Sequence, residues 1–314
     1  MSDFVAFDTS NYTTSVAALK DGELYSERML LPVGAGEKGL RQSDAVFLHT
    51  KQLYRVADAL AERCGGLSPV AVGFSGGPRD VPGSYMPCFL VGENAAKTLA
   101  AFLGVPAYRF SHQAGHIMAG VYSCGNSGAF KDEFIFFHVS GGTTETLAVR
   151  PEKGGFDARI ICATADISIG QLIDRAGVML GMGFPAGNEL EETARGFSGK
   201  LSAALNKKPV MKDGAINLSG FENNLKRAFE SGVPKEEIAF AALSFSASAL
   251  EMARGYAESV CGKRPALFAG GVMRNGYIRS VLEAENTYFA SRELSSDNAA
   301  GTVLLTRDRF NSGE

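Results

Sequence analysis

Residues 4–19, FVAFDTSNYTTSVAAL, and residues 134–149, FIFFHVSGGTTETLAV, are two versions of one pattern. Phe4, Phe7, Ser10, Thr13, Thr14 and Ala18 recur as Phe134, Phe137, Ser140, Thr143, Thr144 and Ala148. Each stretch is an apolar run, a turn of small polar residues, and a second run, which is the signature of a β-hairpin. A hairpin repeated at the start of each half of a chain implies two similar lobes. Turns of Ser, Gly and Thr expose backbone N–H groups and hydroxyls, which suits a phosphate or another anion. The same residues are also ordinary turn formers, so the turns alone leave both readings open.

Outward from the hairpins, strand and helix signals alternate, which predicts an α/β protein with helix-covered sheets. Strands are expected over 4–8, 15–19, 24–30, 70–74, 107–110, 134–139, 144–149, 158–162, 266–269 and 287–290. Helices are expected over 45–63, 94–103, 168–180, 221–230 and 235–259, with another starting at Ser111. Residues 198–219, rich in Lys, Gly, Ser and Asn, read as a surface excursion. The predicted lobes are 1–115, completed by a C-terminal helix at about 291–314, and 116–290.

The chain has 314 residues, enough for two lobes. Lys and Arg number 31 against 34 Asp and Glu, so the net charge of −3 does not by itself announce a nucleic-acid binder. No apolar run approaches the roughly 18 residues of a membrane span. The N-terminus lacks the charged and apolar regions of a signal peptide. The expectation is a soluble, cytoplasmic protein with no membrane partner. Cys64, Cys88, Cys124, Cys162 and Cys261 are odd in number and scattered without C-x-x-C spacing, so they are expected as buried free thiols.

His112 and His116 stand four apart after Ser111, which puts both imidazoles on one helical face. This is how a short segment offers two nitrogen ligands to one metal ion. A zincin would need Glu after the first His, and Gln113 stands there, so a metallopeptidase lacks its base. Gly141-Gly142, Gly183-Phe184-Pro185-Ala186-Gly187 and Gly270-Gly271 are individually unspecific. The third has the strand–glycine–helix arrangement that lets a phosphate approach backbone donors, and none is a Rossmann or Walker fingerprint. Asp174 could accept from both hydroxyls of a ribose, or pair with a neighbouring cation on a solvated helix. Asp297 reads first as a helix cap, although a carboxylate beside two imidazoles also suits a divalent metal. A sugar-kinase reading would rest on Asp8 as the catalytic carboxylate.

Taken in order, several segments resemble the transferase subunit of the tRNA threonylcarbamoyladenosine synthase family, once labelled glycoprotease or sialoglycoprotein endopeptidase. They are Phe7-Asp8-Thr9-Ser10, His112-Gln113-Ala114-Gly115-His116, Val139-Ser140-Gly141-Gly142, Ile173-Asp174-Arg175, Phe184-Pro185-Ala186-Gly187, Leu218-Ser219-Gly220, Ala269-Gly270-Gly271-Val272 with Asn275, and Ser296-Asp297-Asn298. The resemblance implies the actin/sugar-kinase/Hsp70-like fold of two RNase H-like lobes. It implies a divalent transition metal, iron or zinc, on His112, His116 and Asp297. His138, where some family members carry a metal-binding Tyr, is a further candidate ligand, although it could instead cap a carbonyl or pair with Asp8. The implied adenine-nucleotide pocket is built from His138, Val139, Ser140, Gly141, Gly142, Asp174, Gly187 and Asn275, with threonylcarbamoyl adenylate as ligand and tRNA as acceptor. A smaller paralogue of the same fold and an ATPase are the implied partners.

This sequence departs from the family pattern at three places. Asn11-Tyr12-Thr13-Thr14 replaces Cys-Asp-Glu-Thr, so an acidic pair is gone. Thr143 follows the double glycine where His or Asn is usual. The longer stretch 77–87 replaces Gly-Pro-Gly-Leu. These exchanges leave open a catalytically altered paralogue that binds adenine nucleotide and metal for regulation, or carbamoylates another acceptor.

Overall fold

The computed structural model describes residues 2–10, 12–32, 40–295 and 299–313. Its elements begin with β1 (Asp3–Asp8), β2 (Thr13–Lys20), β3 (Glu23–Leu30), α1 (Gln42–Cys64), β4 (Pro69–Ser75), α2 (Phe89–Leu103), β5 (Ala107–Phe110) and α3 (His112–Ser123). Next come β6 (Phe134–Val139), β7 (Thr144–Glu152), β8 (Gly155–Thr164), α4 (Ile169–Met179), α5 (Gly187–Ala194), β9 (Met211–Lys212) and β10 (Ala215–Ile216). The chain closes with α6 (Ser219–Glu230), α7 (Lys235–Cys261), β11 (Ala266–Ala269), α8 (Gly276–Leu282), β12 (Thr287–Phe289) and α9 (Ala300–Asn311). It divides into two compact units. The first runs to Gly125 and takes in Pro151–Asp157 and α9; the second holds Asn126–Arg150 and the residues from Ala158 to the end of β12. The boundary read from sequence at 115/116 cuts α3, which lies whole in the first unit.

The first unit's sheet has the order β3-β2-β1-β4-β5. Strand β1 is antiparallel to β2 and parallel to β4. Side chains alternate across a strand, and β1 uses both faces. Val5 and Phe7 pack with Leu53 and Val56 of α1 and Ala96 of α2. Phe4 and Ala6 pack with Val303 and Leu304 of α9. Asp8, next in the alternation, therefore belongs to the face covered by α3 and α9. Those two helices cross backbone against backbone, since a Cβ on Gly301 would stand 1.8 Å from the Gly115 carbonyl oxygen.

The second unit's sheet has the order β12-β11-β6-β7-β8-β10-β9. Without the two short edge strands this is the first unit's order again. Ile135, Phe137 and Val139 of β6 face a core built with Leu172 of α4 and Ala242 of α7. The repeated hairpin holds to the register: Phe4 pairs with Leu19 and Asp8 with Ser15, while Phe134 pairs with Val149 and His138 with Glu145. The expected surface excursion carries β9 and β10, and β10 adds to β8 in parallel. The five cysteines are free, with Cys64, Cys88 and Cys162 buried and the other two partly so. Among the described residues no helix is long and apolar enough to cross a membrane.

Candidate functional site

In the first unit the site is built on the N-terminus of α3. Ser111 caps it, its hydroxyl accepting from the Ala114 amide at 3.1 Å and donating to Asp80 at 2.6 Å. The amides of His112 and Gln113 donate to the carbonyls of Gly77 and Pro78 at 2.9 and 3.0 Å. These donors are thus engaged by the stretch that departs from the family pattern. One turn of helix brings His112 and His116, 8% and 5% exposed, onto the same face. Their Nε2 atoms lie 2.9 Å apart. Gly115, between them, faces Thr302 of α9, where a Cβ would meet the hydroxyl at 3.0 Å. The Phe89 ring stands edge-on to His112 at 6.2 Å.

Behind His112 lies Asp8, 1% exposed. Its Oδ2 is 2.8 Å from His112 Nδ1 and accepts from the Ser75 hydroxyl at 2.6 Å, while its Oδ1 accepts from the Ser10 amide at 2.9 Å. Burial pushes this carboxyl up, but the His112 charge and the hydrogen bonds from His112, Ser10 and Ser75 outweigh it and hold Asp8 below the usual carboxylate value.

The two histidines fit a metal ion. Two nitrogens each about 2.0–2.1 Å from one ion and at roughly a right angle stand about 2.9 Å apart, which is the separation found. Among the described residues no group of three His, Cys, Asp or Glu side chains could hold a metal. Asp297, the expected carboxylate ligand, lies outside the described residues.

The remaining expected residues are in the second unit, joined by a chain of contacts. The turn 140–143 is closed by the Ser140 amide donating to the Thr143 carbonyl at 2.8 Å and by the Thr143 amide donating to the Ser140 hydroxyl at 3.1 Å. It is docked on the start of α4. Ser168 Oγ donates to the Gly141 carbonyl at 2.8 Å, and the Ile169 amide donates to Thr144 Oγ1 at 2.9 Å. Gly141 and Gly142 are exposed, and a Cβ on either meets nothing within 4 Å, so a ligand can come up to this backbone. On the other side of Val139 sits Gly270, with φ 108° and space only for hydrogen, since a Cβ would stand 2.2 Å from the Val139 oxygen.

Further along α4, Asp174 Oδ1 accepts from the Ala186 amide at 2.9 Å, which places it beside Gly187 at the start of α5. Desolvation raises the Asp174 carboxyl, against the lowering effect of that amide. From α5, Glu191 accepts from the Gly276 amide at 3.0 Å, next to Asn275. Asn275 itself caps α8, accepting from the Ile278 amide at 2.9 Å. His138, 9% exposed, stands on β6 opposite Glu145 of β7 and Ala269 of β11.

Sequence reasoning missed Ser75 and Glu191, and it gave Asp8 the wrong neighbour: the expectation for that carboxylate was a kinase role or a bond to His138, whereas it binds His112. The available signal was the repeat, which sets Asp8 and His138 in equivalent places at the ends of apolar strands. Glu191 carried no signal, because a charged residue on an amphipathic helix reads as solvated surface.

Two units with the same strand order, each opening with the same hairpin, define the actin/sugar-kinase/Hsp70-like class. The activator of 2-hydroxyisocaproyl-CoA dehydratase from Clostridium difficile, solved with bound ADPNP, shares this fold, with a TM-score of 0.55 at 14% identity over 99% of this chain and 96% of that one. The family model of TsaD, tRNA N6-adenosine threonylcarbamoyltransferase, matches residues 47–302. The transferase of that name from Ligilactobacillus salivarius is 31% identical, covering 94% of this chain and 88% of its own. A probable bifunctional tRNA threonylcarbamoyladenosine biosynthesis protein from Thermoplasma volcanium is 28% identical over 83% of this chain but only 48% of its own. The chain belongs to the TsaD family of transferases.

Proposed function

We propose that this protein transfers threonylcarbamoyl from threonylcarbamoyl adenylate to N6 of the adenosine beside the tRNA anticodon, releasing AMP. The observation that carries this reading is the His112–His116 pair, set at the spacing of two metal ligands in a chain of the TsaD family. A new bond forms between N6 and the carbamoyl carbon, the bond from that carbon to the phosphate oxygen breaks, and N6 gives up a proton. No side-chain nucleophile is needed. His112 and His116, with Asp297 and His138 as the further expected ligands, would hold iron or zinc. When bound, the ion supplies Lewis-acid polarisation of a carbamoyl or phosphate oxygen.

The rest falls to the chain's own groups. The Val139–Gly142 backbone receives the adenylate phosphate, and charge on the leaving group is stabilised there by N–H dipoles. Asp174 accepts from the ribose, beside Gly187, and Asn275 fixes the neighbouring loop. Unmodified tRNA and partner proteins, a smaller paralogue and an ATPase, complete the system. The bifunctional relative, whose matching region is about half of a longer chain, favours such partnership.

The test is mass spectrometry of nucleosides after incubating the protein with threonylcarbamoyl adenylate and unmodified tRNA, with and without partners. Threonylcarbamoyladenosine is the expected product. AMP release without any modified nucleoside in every combination would overturn the reading. For the metal, His138→Ala should lower bound iron or zinc less than His112→Ala or His116→Ala does. Full retention in His138→Ala removes that residue from the ligand set.

A second reading is favoured by Tyr12 and Thr13, which stand where the family pattern has two acids. Tyr12 is 42% exposed and Thr13 is buried. It makes the protein a paralogue that binds nucleotide and metal for regulation or carbamoylates another acceptor. Complementation of a strain depleted of its own transferase separates the two, since growth with normal modification levels removes the second.

A further inference from the structure

We infer that Asp8 is a positioning residue that selects the tautomer of His112 and so keeps its Nε2 lone pair free for a metal ion, an inference that rests on the metal reading above. The warrant is the bonding of one buried carboxylate. Asp8 Oδ1 is taken by the Ser10 amide, and Oδ2 by the Ser75 hydroxyl and by His112 Nδ1 at 2.8 Å. An ionised carboxylate only accepts, so the proton of a neutral His112 sits on Nδ1 and Nε2 is bare. Across 2.9 Å, His116 then donates its Nε2 proton to that lone pair in the metal-free protein, and moves it to Nδ1 when an ion takes its place. A carboxylate behind a ligating histidine fixes ring orientation and raises basicity. Ser75 in turn is fixed beside Thr302 of α9 at 3.3 Å, which leaves the Asp8 side chain no freedom to turn away.

Asp8→Asn makes the test sharp, because it keeps the shape and reverses the proton. The Asn oxygen must face the Ser10 amide, which turns the NH2 toward His112 Nδ1. That nitrogen then accepts, and the proton moves to Nε2, where it blocks the metal. The experiment records nitrogen-15 shifts of the histidine rings in the metal-free protein at mildly alkaline pH, with His112 assigned by comparison with His112→Gln, and titrates Co2+ by its visible spectrum. The expected result is a protonated Nδ1 on His112 in the wild type, a protonated Nε2 in Asp8→Asn, and Co2+ affinity lower by about 10- to 100-fold in the variant. A wild-type His112 protonated on Nε2, or an Asp8→Asn protein that keeps the wild-type tautomer or binds Co2+ as tightly as wild type, would overturn it. The wild-type spectrum decides by itself should Asp8→Asn fail to fold. If the wild type shows the expected tautomer and binds no Co2+, the metal reading falls while the role of Asp8 in setting the tautomer stands.

Discussion

The hairpins β1/β2 and β6/β7 share register, burial and six residues, yet they carry different chemistry. The first ends its leading strand in Asp8, a buried carboxylate held by Ser10, Ser75 and His112. The second ends in His138 and then exposes the bare backbone of Gly141-Gly142, docked on the start of α4. One scaffold therefore offers a fixed side-chain charge in one unit and an open main-chain surface in the other. The strand pattern decides the fold, while the residues at the strand end and in the turn decide what each copy can hold.

The largest effects should come from glycines on which each half depends. Gly270→Ala puts a Cβ 2.2 Å from the Val139 oxygen at φ 108°, and Gly301→Ala puts one 1.8 Å from the Gly115 oxygen. Each should destabilise by about 3 kcal/mol or more, because backbone cannot move aside. Denaturation of either at wild-type midpoint would show that the close approaches are not required. Asp174→Ala should weaken AMP binding by roughly 1.5–3 kcal/mol, the cost of charge-assisted hydrogen bonds to a ribose. Calorimetry with unchanged affinity would remove Asp174 from the second unit's pocket, provided the melting temperature shows that the Ala186 contact was not the only loss.

A smaller effect is expected at Asp166, just before α4. Desolvation pushes its carboxyl up, but amides of Leu218, Ser219 and Ile167 and the Ser219 side chain bring it down to about 2. Its folded value is below its unfolded value, so its stabilisation is complete above roughly pH 4 and is lost as pH falls toward 2. Asp166→Asn should remove that slope from the acid limb of a stability–pH curve and cost about 0.5–1 kcal/mol at neutral pH, a figure reduced for solvent screening. An unchanged acid limb would count against it. The smallest change belongs to Gly141→Ala, where a Cβ meets open space. Stability should stay within about 0.5 kcal/mol, while AMP binding weakens if the phosphate lies against the turn. A turn that tolerates alanine without any loss of affinity would break the contrast between the two hairpins.

Much of this was legible from residues alone. The alternation of apolar side chains placed all five strands of the first sheet, and the repeat anticipated two sheets of like order. The HxxxH spacing anticipated a shared face. What could not be read was long-range bonding. Nothing near residue 8 announces a partner 104 positions away, and nothing in α5 announces that Glu191 ties down the start of α8. The short α5 was missed because its acidic residues weaken the apolar stripe that marks a helix. The C-terminal helix, expected over about 291–314, spans Ala300–Asn311 among the described residues.

The packing of α9 has a consequence for biosynthesis. Phe4, Ala6, Ala17, Leu19 and Ala71 are buried against Ala299, Val303 and Leu304, and Gly115 lies against Gly301. On the ribosome, the strands of the first unit emerge early, while the helix that covers one face of their sheet emerges after the whole second unit. The histidine pair on α3 is thus among the last parts of the chain to gain its final neighbours, and a nascent chain stopped before residue 300 carries an uncovered apolar sheet face for a chaperone to bind.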